Sequence, residues 1–279
     1  MERIRAIQIA SKVLKTRKAY LGIDTYTPIC PYSLCESIGI DLRFVKINSF
    51  EGMYIASQNL ILISSERPEG RKRFTCAHEI GHHELGHGTV IDEITEHGSN
   101  KQEEREADFF AGMLLMPSSA VNRTLNRYRR TAEKLKSSDA YILSKYFGVS
   151  YQAFLFHIHG NLHLIPSKQY QTLKKANLTD IRKSISGIAT ENQVFLVDDW
   201  WDEKAIELEV GDILVSRKPL SVDGPQILRK LNQETSRHVH EAISPGITRL
   251  FSDNWACFSK ISRHKFQGLF QYKYDEEEE

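Results

Sequence analysis

Between Arg71 and Gly88 the chain reads RKRFTCAHEIGHHELGHG, with His78 and His82 four apart and Glu79 directly after the first. On a helix of about 3.6 residues per turn, positions four apart lie one above the other, so both imidazoles can reach a single zinc ion. The one-residue offset keeps the Glu79 carboxylate out of the ligand set. It leaves that carboxylate close enough to take a proton from a zinc-bound water, as metal-assisted peptide hydrolysis requires. His83, Glu84 and His87 repeat the H-E-x-x-H pattern in an overlapping register. Phe74, Cys76 and Ala77 build helix ahead of the first copy, whereas the second runs into Gly86 and Gly88, which favour helix termination. His78 and His82 are therefore the expected pair, against the plain alternative of a His-rich surface helix that holds no metal.

A third ligand has to come from another element, and the next acidic segment is KQEEREADFFAGMLLMP, Lys101 to Pro117. Phe109, Phe110, Met113, Leu114 and Leu115 make the buried face of a helix there, and Pro117 sits where it would stop. Glu104 and Asp108 are four apart and share a face. Glu104 could bind zinc while Asp108 accepts a hydrogen bond from the outer nitrogen of a ligand histidine, fixing its tautomer and orientation. Glu103 and Glu106 compete for the ligand position, and a solvated acidic face explains the run without any metal.

Together, FTCAHEIGHHELGH and EEREADFFAGMLLMP resemble the two signature segments of the ImmA/IrrE family of zinc-dependent peptidases, whose second segment reads E-x-x-A-[N/D]-x-F-A-x-x-L-L-M-P. The resemblance is specific over about Leu60 to Pro117 and weaker to about Leu164. It implies that His78, His82 and Glu104 are the zinc ligands and Glu79 the catalytic base, with Asp108 at a position that is often Asn in the family. It also implies a cytoplasmic enzyme that cuts a helix-turn-helix transcriptional repressor and so relieves repression in a stress, DNA-damage or phage response. By the same analogy, an edge strand within residues 52 to 64 pairs with the extended substrate backbone.

The elements that must position these residues are legible in outline. With 279 residues, 41% of them hydrophobic, the chain can bury a sizeable core. Its formal charge is +1, but the acidic tail Asp275 to Glu279 leaves about +6 on the remainder, far from the composition of a protein that coats nucleic acid. With no apolar run of about 18 residues and no cleavable leader, a cytoplasmic location and no membrane are expected. The fold class expected is α+β: a zincin-like minimal metallopeptidase domain over residues 1–165, a connector over 166–189 and a separate mostly-β domain over 190–279. Two helices, ending near Arg17 and Gly39, precede three short strands, Asp41 to Ile47, Gly52 to Ala56 and Leu60 to Ser64. Residues 139–163 are helix-turn-helix-like, turning at Gly148-Val149-Ser150, but the second helix is mostly aromatic and apolar. Base readout favours Arg, Lys, Asn or Gln, so a helical pair that closes the catalytic domain is the better reading.

Arg123, Arg127, Arg129 and Arg130 after Pro117 make a basic stretch that suits phosphates, an acidic partner or plain solvent. In the C-terminal part, Trp200, Trp201, Trp255 and Phe258 alternate with basic residues, a composition suited to single-stranded DNA or another nucleic acid as activator. A β-core with a polar face explains the same residues. Tyr54, His83 and His163 are the candidates for stabilising an oxyanion. Of the four cysteines, Cys76 points away from the metal and Cys35 belongs to a core helix, which leaves Cys30 and Cys257; Cys257, in the β-domain, is the candidate inhibitory zinc ligand because its displacement would couple a sensor event to the metal site. A buried apolar cysteine is the plain alternative. A non-catalytic DNA- or protein-binding regulator, using the same fold as scaffold, is the other function class.

Overall fold

The structure is a computed structural model describing residues 3–22, 26–87, 90–93, 102–201, 204–231, 237–253 and 255–275. Gly88, Lys101 and the tail beyond Asp275, which figure in the readings above, lie outside the described residues. Helices α1 (Arg3–Leu21) and α2 (Pro31–Ser37) lead into strands β1 (Asp41–Val45), β2 (Phe50–Ile55) and β3 (Leu60–Ser64). The metal-motif helix α3 (Glu69–Leu85) follows, then β4 (Val90–Glu93) and α4 (Gln102–Leu115). Five further helices run α5 (Ser118–Arg127), α6 (Ser137–Phe147), α7 (Tyr151–Phe156), α8 (Ser167–Lys174) and α9 (Leu178–Ser186).

The first sheet has the order β13-β1-β3-β2-β4, where β13 is Gly268–Leu269. Side chains alternate along its strands, so Leu42 and Phe44 on β1 and Ile61 and Ile63 on β3 are buried. One expectation changes here. β4 pairs with β2 from Phe50↔Glu93 to Tyr54↔Val90, so β2 and β3 each have neighbours on both sides and residues 52–64 hold no free edge. Among the described residues the edges are β4 and β13. A four-residue run beside Gly88 and a two-residue strand near the C-terminus are too short for alternation to reveal them.

The C-terminal part builds two four-stranded sheets. One, in the order β5-β7-β10-β9, contains β5 (Val194–Leu196), β7 (Ile213–Ser216), β9 (Leu228–Leu231) and β10 (His238–Ala242). The other, in the order β6-β12-β11-β8, contains β6 (Ile206–Glu209), β8 (Ser221–Asp223), β11 (Gly246–Ser252) and β12 (Trp255–Ser262). The chain then leaves these sheets, and β13 adds antiparallel to β1 at Arg43↔Leu269 and Phe44↔Gly268. Helix α6 joins the two parts from the other side: Val194 N–H donates to Tyr141 Oη at 3.1 Å, and Tyr146 meets Trp201 edge-on at 5.2 Å. Every residue of α6 from Asp139 to Phe147 is buried, and α7 turns Ala153, Phe154 and Leu155 inward. Of the polar readers on the second helix, Gln152 is exposed, while His157 is buried and hydrogen-bonded to the Met116 carbonyl at 2.8 Å. Among the described residues no helix is long and apolar enough to cross a membrane.

α3 rests on β2 at Gly52, where an added Cβ would stand 2.4 Å from Thr75 Cγ2 and 3.1 Å from Glu79 Oε1. Gly52→Ala is therefore expected to lower stability by about 1–3 kcal/mol through overpacking. Thr75→Ser, which removes the clashing methyl, should restore most of that loss in the double variant, as chemical denaturation of all three proteins would test.

Candidate metal centre

α3 carries both histidines because its first three turns are anchored on the sheet and its end is capped. Gly86 takes a left-handed conformation (φ 73°) and closes the helix, leaving His87 beyond it. That separates the two overlapping H-E-x-x-H copies: His78 and His82 share a helix face, whereas the second copy is broken before its last histidine. Its other members have different work. Glu84 pairs with Lys12 at 2.9 Å, and His83 Nδ1 lies 2.7 Å from the hydroxyl of Tyr54.

α4 crosses α3 at Gly81, where an added Cβ would lie 3.2 Å from Ala107 Cα and 3.3 Å from its carbonyl oxygen. That close approach puts Glu104 against the histidines. The Nε2 atoms of His78 and His82 are 2.9 Å apart, and the Glu104 carboxylate lies 3.3 Å from the first and 3.7 Å from the second. Tetrahedral coordination at bond lengths of about 2.0–2.1 Å places ligand atoms about 3.3 Å apart, so two imidazole nitrogens and one carboxylate at these separations fit zinc. Among the described residues, His78, His82 and Glu104 are the group whose ligand atoms converge in this way.

The competing carboxylates are elsewhere. Glu103 is exposed. Glu106 is buried against α1, where it accepts from Arg5 Nε at 2.9 Å and Gln102 Nε2 at 2.7 Å. Asp108 Oδ1 sits 3.0 Å from His78 Nδ1, the contact that turns Nε2 toward the metal position. His82 has the equivalent support from His87, whose Nδ1 is 3.0 Å from His82 Nδ1 and whose Nε2 faces Glu106 at 3.4 Å. Sequence reasoning missed this role of His87; the glycine just before it, which returns the chain toward its own helix, was the available signal.

Burial opposes charge on His78, but the hydrogen bonds to Asp108 and Glu104 outweigh it and hold the ring's pKa well above the ordinary histidine value. Hydrogen bonds to His78 and His82 hold Glu104 well below the usual carboxylate range. A proton therefore competes with a metal for His78, and affinity should fall on acidification. Glu79, fully buried, is adjacent to His78 and stands over Gly52.

The remaining candidates are not gathered here. Cys257 is buried in β12 opposite Leu250 of β11, among apolar side chains, and burial pushes its thiol up to about 12. It is not among the convergent ligand atoms, so nothing in its placement supports the inhibitory role. His163 is exposed at a positive φ of 53° beyond α7. Cys35 and Cys76 meet in the core with their sulfurs 3.6 Å apart.

Metal analysis gives the direct check. His78→Ala, His82→Ala and Glu104→Ala are expected to purify without zinc, Glu103→Ala to keep it, and Asp108→Ala and His87→Ala to bind it about 10–100-fold more weakly.

Residues 35–159 match the model of the IrrE N-terminal-like domain of peptidase family M78. The chain is 31% identical over 102 residues to the radiation response metalloprotease IrrE of Deinococcus radiodurans, covering 35% of this chain and 31% of that protein. It is 33% identical over 103 residues to the protein of the same name from Deinococcus deserti, covering 35% of this chain and 36% of that one. The matched part thus spans about a third of the length of these curated relatives. Residues 35–159, which contain the signature residues gathered on α3 and α4, are thus similar to the IrrE N-terminal-like domain of the M78 metallopeptidases.

Proposed function

We propose that the chain is a zinc-dependent endopeptidase that cuts a helix-turn-helix transcriptional repressor, relieving repression in a stress, DNA-damage or phage response in the cytoplasm. The observation that carries this reading is the pairing of a convergent ligand set with a buried carboxylate, Glu79, next to His78 and over Gly52. A regulator that used the fold as scaffold would have no need of a base held beside the metal ligands. The radiation-response name of the relatives supports the stress pathway, and the repressor substrate rests on the family resemblance.

His78, His82 and Glu104 would hold the zinc, which when bound would supply Lewis-acid chemistry to a carbonyl and to water. The chain's own residues do the rest. Glu79 takes a proton from the attacking water and passes it to the leaving amine. Its burial excludes competing solvent, and Asp108 and His87 keep the two imidazoles in the ligating tautomer. Tyr54, fixed by His83 one residue past the second ligand, is the donor best sited for the oxyanion. β4, at the open side of the sheet beyond β2, takes over the substrate-pairing role by the same main-chain logic.

The test is co-incubation with a small helix-turn-helix repressor encoded next to this chain's gene, followed by mass analysis of fragments. Glu79→Gln is expected to keep fold and zinc but lose cleavage by about 10²–10⁴-fold, because an amide cannot accept the proton. Tyr54→Phe should lower the rate about 10²-fold with little change in zinc content. Undiminished cleavage by Glu79→Gln would remove the general-base assignment.

A further inference from the structure

Two features that the sequence holds apart, the arginine-rich end of α5 and Trp200, meet in the fold. A cleft of about 500 Å³ opens between them, walled by Arg127, Arg129, Arg130 and Arg217. α5 ends at Arg127, and Arg129 then takes a left-handed conformation (φ 54°), which non-glycine residues seldom adopt. Arg129, Arg130 and Arg217 are all exposed. Behind them, buried Asp139 holds Arg130 at 3.2 Å and buried Asp198 holds Arg217 at 3.5 Å. These pairs orient the guanidiniums of Arg130 and Arg217, which stay exposed at the mouth of the cleft.

The other wall is aromatic. Tyr128 and Trp200 stand 4.9 Å apart at 61°, with the Arg130 guanidinium 5.5 Å from the Tyr128 ring centre. Trp200 is 6% exposed and backs the cleft with its ring. A second hollow of about 240 Å³ shares Arg217 and Asp199 and extends to Lys218.

We propose that this cleft binds a phosphate-bearing small molecule of nucleotide size, its phosphates on the arginines and its ring against Tyr128. Guanidinium forks match phosphate oxygens in pairs, and planar rings stack on aromatic and guanidinium planes. The volume is within the range of about 300–1,000 Å³ typical of small-ligand pockets and is far larger than bare phosphate fills. Neither the zinc ligands nor Glu79 lines the cleft, so the proposal stands or falls apart from the peptidase reading.

The test is calorimetric titration of the full chain with the 5′-mono- and diphosphates of adenosine, guanosine, cytidine and uridine at about 0.15 M salt. At least one is expected to bind with Kd of about 1–100 μM, and the matching nucleoside and inorganic phosphate each about tenfold or more weakly. Arg129→Asn, which tolerates the positive φ, combined with Arg217→Gln should weaken binding about tenfold or more, while Arg249→Glu on the exposed side of β11 leaves it unchanged. Affinity of the parent should fall as salt rises, a measurement that needs no variant. The proposal is overturned if no nucleotide binds below about 1 mM, if the nucleoside binds equally well, or if affinity ignores salt. Binding of an oligothymidylate with no mononucleotide binding would also overturn it, in favour of a nucleic-acid site.

Discussion

The metal centre depends on how closely two helices cross. α3 supplies two imidazoles one turn apart, and any solvent-exposed helix with that spacing could do the same; what makes a site is the third ligand arriving from α4. Gly81 lets the α4 backbone come to within van der Waals contact at Ala107, one turn from Glu104. A side chain at position 81 would push the crossing apart by a few tenths of an ångström, at the contact that sets where Glu104 stands. The same crossing brings Asp108 to His78, so one contact sets both the ligand and its support.

A second constraint ties the start of α3 to the C-terminal part of the chain. Lys72 and Lys273, 1% and 2% exposed, share Glu69, and Lys72 also reaches Glu209 at 2.6 Å, while Arg73 meets Glu207 at 2.5 Å and Tyr274 donates to Glu207 at 2.9 Å. Burial alone would push the Glu69 carboxyl up, but Lys273 and Lys72 outweigh it and hold it well below the usual range. Removing one member of such a cluster leaves an uncompensated buried charge, at a cost of about 3–5 kcal/mol. These contacts anchor the N-terminal turns of the helix that carries His78 and Glu79 to the C-terminal part of the chain.

What the sequence could reveal was set by the length and locality of each signal. The H-E-x-x-H spacing, the amphipathic run ending at Pro117 and the three strands before α3 are local patterns, and the elements form within a few residues of the expected bounds. The choice of Glu104 over Glu103 and Glu106 was not local: an acidic run offers several carboxylates, and only the packing of α1, with Arg5 on Glu106, separates them. His87 lay past the helix end, where periodicity carries no information. β4 and β13 were too short to read, and the outer neighbour of β2 was missed with them. Cys257 looked available because sequence does not show what a cysteine packs against.

β13 has a consequence for how the protein is made. β1 and β3 leave the ribosome early, yet the outer side of β1 stays open until Gly268 and Leu269 have been synthesised. Until then Phe270 is missing from its packing against Tyr32, and Lys273 from Glu69 at the head of the metal helix. Such long-range closure comes late in folding. The matched segment is therefore contiguous in sequence but not in assembly: its sheet is completed by residues made well after it, and a nascent chain carries the metal motif before it carries the contacts that hold it in place.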